Sequence, residues 1–257
     1  MSARSLPLLL MALVISSCTT RYYLPPPVET GVVHTAEEYH VSFNTSNAGT
    51  ALNALVPIGT VDLEEEEITF YGTFQVYDHL RDPRDGGDRR EQDEWNIGLG
   101  ASVYAEQGAR GLGFRVYPSG SVNAGIGFGS VESDFTRTDV NFFGPGPFLL
   151  HSDFTFSGIY VRPWVGLRFD IETGKDPSPL SFGYGLHIRA CWPIFSRLET
   201  DDSLMVRNPA LVEPGLSLRL TLLSLIELEA LFGFGIAGGD WNYNYGNLGF
   251  RFVFNRR

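Results

Sequence analysis

The chain has 257 residues, of which 43% are hydrophobic, 13% aromatic and 19% charged, and this composition excludes a chain that is disordered over most of its length. Nineteen basic residues against 30 acidic ones give a net charge of −11, which argues against binding to nucleic acid. With 29 glycines and only two cysteines, the chain is predicted to be all-β and not a disulfide scaffold.

Residues 1–17 are predicted to be a secretory signal peptide. They combine a basic residue, Arg4, with an apolar run from Leu6 to Ile15. This run is too short for a stable transmembrane helix, and small residues follow it. The signal is therefore predicted to be removed and to take no part in the fold.

The segment ISSC at residues 15–18 resembles the bacterial lipobox, in which an aliphatic residue and two small or branched ones precede a lipidated cysteine. The resemblance implies that Cys18 becomes the lipidated N-terminus. It also implies the outer membrane, since Thr19 stands where inner-membrane lipoproteins carry a retention Asp. The alternative is ordinary signal cleavage beside a chance cysteine. Residues 18–36 would then form a tether, kept extended by its three consecutive prolines.

From residue 37 to residue 257 the dominant pattern is alternation of apolar and polar residues, which is typical of β-strands with two different faces. Trp95, Ile97 and Leu99, for example, alternate with Asn96 and Gly98. Ten strands are predicted, near residues 37–46, 66–77, 94–105, 110–117, 121–131, 153–170, 180–192, 210–221, 224–236 and 245–255.

Two local features interrupt this pattern. Residues 118–120, PSG, have the composition of a turn and separate the fourth predicted strand from the fifth. In the sixth strand the apolar phase changes after Phe156, near Pro163, which cannot donate a ladder hydrogen bond. A β-bulge is predicted there.

The apolar faces of the predicted strands carry no charged residue and hold more side chains than the interior of a small barrel. They are therefore predicted to face lipid. The opposite faces carry glycines and charges, which indicates a crowded polar lumen. We predict a single closed antiparallel up-and-down transmembrane β-barrel of about ten strands (8 to 10), covering residues 37–257. Its predicted lumen charges are Arg115, Arg162, Arg168, Arg189, Arg219, Arg251, Glu38, Glu94, Glu227 and Glu229.

Three uses of these charges are considered. Internal salt bridges that plug the lumen are favoured, because a small barrel must satisfy its own polar groups. An excess of arginine over glutamate would instead suit a narrow anion-preferring channel. A third alternative is a lipid-modifying enzyme: His40 and Ser42, with Glu38 or Glu94 as the orienting carboxylate, faintly resemble the His-x-Ser of barrel lipid A deacylases. A two-residue match is expected by chance in a β-protein.

The C-terminal sequence Asn247 to Phe254, NLGFRFVF, resembles the terminal signal of outer-membrane barrels, which implies the barrel-assembly machinery as a partner. It departs from the usual signal because two arginines follow the last aromatic residue. With the start CTTRYYLPP, the whole chain resembles small outer-membrane β-barrel lipoproteins of the Bacteroidota type. That family is largely without assigned activity, so the resemblance implies a location and not a reaction.

The expected location is the outer membrane, with a lipid anchor, a periplasmic N-terminus, and contact with outer-membrane lipids and lipopolysaccharide. Alternation of strand direction then places residues 47–65, with the acidic run from Asp62 to Glu67, in an outer loop. The same count makes residues 78–93 an unusually long periplasmic loop. Outer loops at 132–152 and 193–209 favour a structural or surface-interaction role without catalysis.

No cofactor and no metal are predicted, because the five histidines show no metal-ligand spacing. Cys191, beside Trp192, is predicted to be a small strand residue near the membrane interface.

Overall fold

The computed structural model describes Pro26, Val33 and residues 37–46, 49–63, 67–81, 89–104, 115–141, 148–174, 180–201, 208–223, 225–236 and 243–255. The strands are β1 (Glu38–Ser46), β2 (Gly49–Asp62), β3 (Glu67–Arg81), β4 (Arg89–Tyr104), β5 (Arg115–Asn141), β6 (Phe148–Gly174), β7 (Leu180–Cys191), β8 (Ile194–Thr200), β9 (Leu211–Leu222), β10 (Ile226–Gly235) and β11 (Tyr243–Asn255). No helix in these ranges is long and apolar enough to cross a membrane. The predicted signal peptide and Cys18 lie outside the described residues.

The strands form one closed antiparallel barrel. Neighbours in sequence pair from β1 to β7, then β7 pairs with β9, and β11 returns to β1. Strands β7 and β8 occupy one position in the barrel, separated by a break at Trp192 and Pro193. Strand β7 pairs with residues 164–174 of β6, and β8 pairs with residues 156–161 of the same strand. The Trp192 amide still donates to the Pro163 carbonyl at 3.0 Å across this break. The barrel thus has ten strand positions, which confirms the predicted fold.

The strands are tilted relative to the barrel axis. Paired residues followed from Ser42 through β2, β3, β4 and β5 lead to Arg162 on β6. Followed the other way, through β11, β10, β9 and β7, they lead to Gly174 on the same strand. This offset along β6 is the stagger that a closed barrel of tilted strands requires.

The predicted strand count is correct because two errors cancel. Residues 47–65, predicted as an outer loop, contain β2. Residues 115–117 of one predicted strand and residues 121–131 of the next both belong to β5, so the predicted turn at 118–120 is wrong, while residues 110–114 lie outside the described residues. Pro118 is tolerated because it lies one residue beyond the last pair between β4 and β5, Tyr104 with Ser119.

The corrected strand order changes the side on which two segments lie. The "termini end" of the barrel is the end where β1 begins and β11 finishes, and the "far end" is the opposite one. Asp62 ends β2 and Glu67 begins β3, so both lie at the termini end and not at the opposite end, where the predicted strand order placed them. Strand β3 ends and β4 begins at the far end. The described residues of segment 78–93 are therefore strand residues at the far end, and not a loop at the end where the N-terminus lies, as predicted.

An apolar belt surrounds the barrel. On β4, Trp95, Ile97 and Leu99 are 57%, 59% and 65% exposed, whereas Asn96 between them is buried. Every strand of the closed barrel contributes exposed apolar side chains in the same way, including Phe252 and its neighbours on β11. An apolar surface this large is far beyond what water-soluble proteins expose, so the belt faces membrane hydrocarbon.

The belt ends sharply toward the far end. The outward residues of β4 change there from Trp95 to Asp93 and Glu91, and those of β5 change from Phe128 to Ser130 and then to acidic residues. Strands β5 and β6 continue past this border and pair with each other up to residues 141 and 148. The predicted outer loop at 132–152 is strand wherever it is described, at residues 132–141 and 148–152, and the predicted loop at 193–209 contains β8.

An apolar cluster on the inner face supports the hairpin. Phe156 and Tyr160 of β6 each contact Phe195 of β8 at a ring-centroid distance of 5.5 Å. Phe156 thus shares the lumen phase of β6, and residues 148–174 pair with β5 without a register shift. The bulge predicted near Pro163 is wrong. The shift lies in the pairing of β6 with β8, where Ser196 is the extra residue.

Candidate functional site

Lumen-facing glycines lie opposite large side chains of the adjacent strands. Gly100 pairs with Tyr71, and a Cβ added at Gly100 would overlap the Tyr71 ring. Gly129 is covered by Tyr160 in the same way. Aromatic side chains that fold over cross-strand glycines stabilise curved sheets. The pattern recurs in the pairs Gly125–Trp164, Gly185–Asp170, Gly215–His187, Gly233–Tyr245 and Gly249–Asn44.

The first charged layer of the lumen lies below the apolar cluster. Arg162 on β6 donates through Nε to Glu94 Oε1 on β4 at 2.8 Å, and Nη2 donates to the same carboxylate. The Tyr160 hydroxyl donates to Glu94 Oε2 at 2.8 Å, and Arg162 Nη2 also donates to Asn96 Oδ1 at 2.9 Å. Strand β5 lies between the two partners, and only a glycine, Gly127, leaves room for the Glu94 carboxylate.

A second layer contains three carboxylates and two arginines. Arg168 on β6 donates to Asp170 Oδ2 at 2.6 Å and to Glu229 on β10. Arg251 on β11 donates to Glu227 Oε2 at 2.5 Å and lies 3.4 Å from Glu229 Oε2. The bond from Arg168 to Glu229 passes β7 and β9, so it reaches across part of the lumen.

Arg189 is placed between these layers. It donates through Nη2 to Glu213 Oε1 on the adjacent β9 at 2.8 Å. Cys191 ends β7, with its Sγ 3.8 Å from Glu213 Oε2, and its side chain is fully buried in the lumen. His187 Nε2 lies 2.7 Å from the Tyr245 hydroxyl.

Three carboxylates that face the lumen were not among the lumen charges predicted from the sequence. Asp170 pairs with Arg168, Glu213 with Arg189, and Glu172 with Arg219 at 3.2 Å. Strict alternation would have found them, because each lies at an even number of residues from a predicted lumen arginine on its own strand. They remove the predicted excess of positive charge. The side chain of Arg115 lies outside the described part of the structure.

The residues of the alternative enzyme site face the lumen. His40 Nε2 lies 3.5 Å from Glu38 Oε2, and the Ser42 hydroxyl accepts a hydrogen bond from the Asn53 amide at 3.2 Å. Both His40 and Ser42 are 2% exposed, and Glu94 is engaged by Arg162. A lipid in the surrounding membrane cannot reach this pair.

Within the described ranges, no three His, Cys, Asp or Glu side chains are grouped so that they could hold a metal ion. No family model matches the chain, and no curated protein matches it.

Solved structures resemble the chain in fold. An outer membrane channel from Pseudomonas putida F1 matches with 10% identity over 90% of this chain and 100% of that chain, with a TM-score of 0.42. The translocator domain of the autotransporter NalP from Neisseria meningitidis matches with 13% identity over 88% and 91%, also with a TM-score of 0.42. CarO from Acinetobacter baumannii matches with 12% identity over 85% and 98%, with a TM-score of 0.33. Likeness at this level does not identify a function.

Proposed function

We propose that the chain is an outer-membrane β-barrel with a closed lumen, acting in the envelope as a structural or surface-interaction protein. The observation that carries the proposal is the pairing of Arg162 with Glu94 and of Arg168 with Glu229 between strands that are not neighbours. These bonds run inside the barrel and pass one strand, β5, in the first pair and two strands, β7 and β9, in the second. Together with the apolar cluster at the far end, they place buried side chains inside the barrel, which supports a closed lumen.

Opening such a lumen is energetically expensive. Leaving one member of a buried ion pair without its partner costs about 3–5 kcal/mol. Moving Arg162 away from Glu94 would break two hydrogen bonds to a carboxylate that also accepts one from the Tyr160 hydroxyl. The bonded lumen supports a closed barrel over a channel.

Osmotic swelling of liposomes tests this closure. Vesicles that carry the purified full chain are expected to swell in a small sugar or in chloride salt no faster than empty vesicles. Swelling at the rate of a general porin in parallel vesicles would contradict the closed lumen.

The surface role is assigned to the far end. Residues of β4, β5, β6 and β8 there enclose a polar groove with a cavity of about 340 Å³, and its charged members are Glu91, Asp93, Glu132, Glu199 and Arg197. Charged outward groups above an apolar belt lie at the height of lipid headgroups and solvent. The proposed contacts of this surface are lipopolysaccharide and other molecules at the cell surface.

Orientation is tested with two single-cysteine variants made in a Cys191→Ala background. Asp134→Cys lies on the far-end hairpin and Asp62→Cys at the termini end, and both positions are exposed. A membrane-impermeant maleimide applied to intact cells is expected to label Asp134→Cys at once and Asp62→Cys only after the outer membrane is permeabilised. The reverse order would contradict a periplasmic N-terminus.

The lipid anchor is proposed on the lipobox resemblance at Cys18. Mass spectrometry of the mature protein is expected to find an N-terminal peptide that begins at Cys18 and carries acyl chains. The Cys18→Ala variant is the control and is expected to keep its signal peptide. An N-terminus at any other residue would refute the anchor while leaving the closed barrel untouched.

A further inference from the structure

Two residues of the predicted tether lie inside the barrel. Pro26 is buried, and its carbonyl accepts a hydrogen bond from Arg189 Nη2 at 2.9 Å. Arg189 is on the lumen face of β7, well inside the barrel, and uses its Nε and Nη2 for Glu213 as well. A guanidinium has five N–H donors, so one arginine can serve both a carboxylate and a peptide carbonyl.

Val33 is held at a second position, nearer the termini end. It is 1% exposed and packs in a cluster with Leu55 of β2 and Tyr71 of β3. Its carbonyl accepts a hydrogen bond from the Ser102 hydroxyl on β4 at 2.5 Å. Ser102 stands two residues before the end of β4, close to where β1 begins.

We propose that the lumen contains a binding site for an extended peptide backbone, whose ligand is the N-terminal segment of the same chain. Arg189 and Ser102 are its hydrogen-bond donors, and Leu55 and Tyr71 form its apolar pocket. The tether is then a lumen ligand and not a free spacer. This goes beyond the proposed function, because it holds whether or not the barrel conducts ions.

The chemistry of the site matches the sequence of its ligand. Three consecutive prolines at 25–27 have no backbone N–H and favour an extended conformation without internal hydrogen bonds. The carbonyls of such a segment need donors from elsewhere. Arg189 and Ser102 supply them at the two described positions. The site also explains why an apolar residue, Leu55, faces the lumen, where most side chains are polar. Val33 packs on it.

Disulfide trapping in the full chain tests the site. A variant with Val33→Cys and Ser102→Cys, made in the Cys191→Ala background, is expected to form an internal disulfide under mild oxidation. The matched control pairs Val33→Cys with Val103→Cys, one residue further along β4 on the outward face. Cross-linking to position 102 is expected to be at least about tenfold faster than to position 103, because only position 102 faces the lumen. Equal rates, or no disulfide in a barrel that still shows heat-modifiable migration, would overturn the proposal.

Proteolysis gives a second measurement without new cysteines. In the folded wild-type chain, the peptide bond after Glu29 is expected to resist a glutamate-specific protease for as long as the barrel is intact. Val33→Asp places a charge in the apolar pocket and is expected to make this bond cleavable in a folded barrel. Cleavage of the folded wild-type chain as fast as of that variant would overturn the proposal, even if the lumen proves closed to ions.

Discussion

Arg162 on β6 and Glu94 on β4 form an ion pair that bridges β5 above Gly127, and neither side chain is more than 1% exposed. The glycine is as much a part of this interaction as the charges, because any side chain at that position would occupy the space of the carboxylate. Lumen charges and lumen glycines thus depend on each other. Glycine and charge on the same strand face are therefore both needed for this buried pair.

Removing one partner of this pair is expected to destabilise the barrel strongly. Glu94→Ala leaves the Arg162 guanidinium buried without its carboxylate, at a cost of about 3–5 kcal/mol in the free energy of unfolding. Urea unfolding in detergent micelles or liposomes measures the change. The control is Glu91→Ala on the same strand, since Glu91 is half exposed and lies 3.7 Å from Arg89. That variant is expected to unfold as wild type does. Equal losses in both variants would contradict the account of the lumen.

Adding one methyl group at a lumen glycine is expected to have a similar effect. Gly100→Ala would overlap the Tyr71 ring and is expected to cost about 1–3 kcal/mol. Gly72→Ala is the control, because it lies beside Tyr71 on β3 but faces outward, with its nearest neighbour atoms at 3.9 Å. Thermal unfolding by gel mobility compares the two. If Gly72→Ala is the more damaging change, the assignment of faces is wrong.

The apolar belt predicts a depth-dependent penalty for charge. Leu99→Arg places a guanidinium on the lipid face within the belt, and the expected cost is about 2–4 kcal/mol. Ser130→Arg, on the outward face of β5 beyond the belt, is expected to cost much less. Refolding into liposomes at increasing urea concentration measures both. A Leu99→Arg barrel as stable as Ser130→Arg would show that lipid does not contact β4.

Cys191 is expected to report on the integrity of the lumen. Because it is fully buried beside Glu213, a maleimide should not react with it in the folded barrel and should react quickly in urea. Peptide mapping identifies the labelled residue. Rapid labelling under native conditions would show that water and small solutes reach the middle of the lumen.

The sequence predicted the architecture and most of the lumen charges because strand alternation is strict where lipid and a polar lumen lie on opposite sides. It failed on β2, whose sequence GTALNALVPIGTVD has apolar residues on both faces. The structure explains the lost alternation: Leu55 faces inward to pack on Val33 and Tyr71, and a register shift lies between Pro57 and Gly59. A contact such as that of Val33 with Leu55 produces no alternating pattern in the sequence, so the pattern could not predict it.

The far-end hairpin was missed for a related reason. Inward residues such as Phe156 and Phe195 are apolar above the belt, while the outward ones become charged, so the usual polarity of the two faces is reversed there. When the apolar residues of a strand move from the outward to the inward face, the sequence pattern resembles that of a bulge or a loop. Only the pairing of β5 with β6 shows that the strand continues.

Conductance in a planar lipid bilayer tests the closed lumen most directly. The wild-type chain is expected to give no steady conductance in potassium chloride, because Arg162–Glu94 and Arg168–Glu229 close the path. Replacing both members of the first pair with alanine removes bulk without leaving an unpaired charge; because Arg168 and Glu229 remain, brief openings and not a steady conductance are expected in that double variant. A steady open conductance from the wild-type barrel, unchanged in the double variant, would contradict the account.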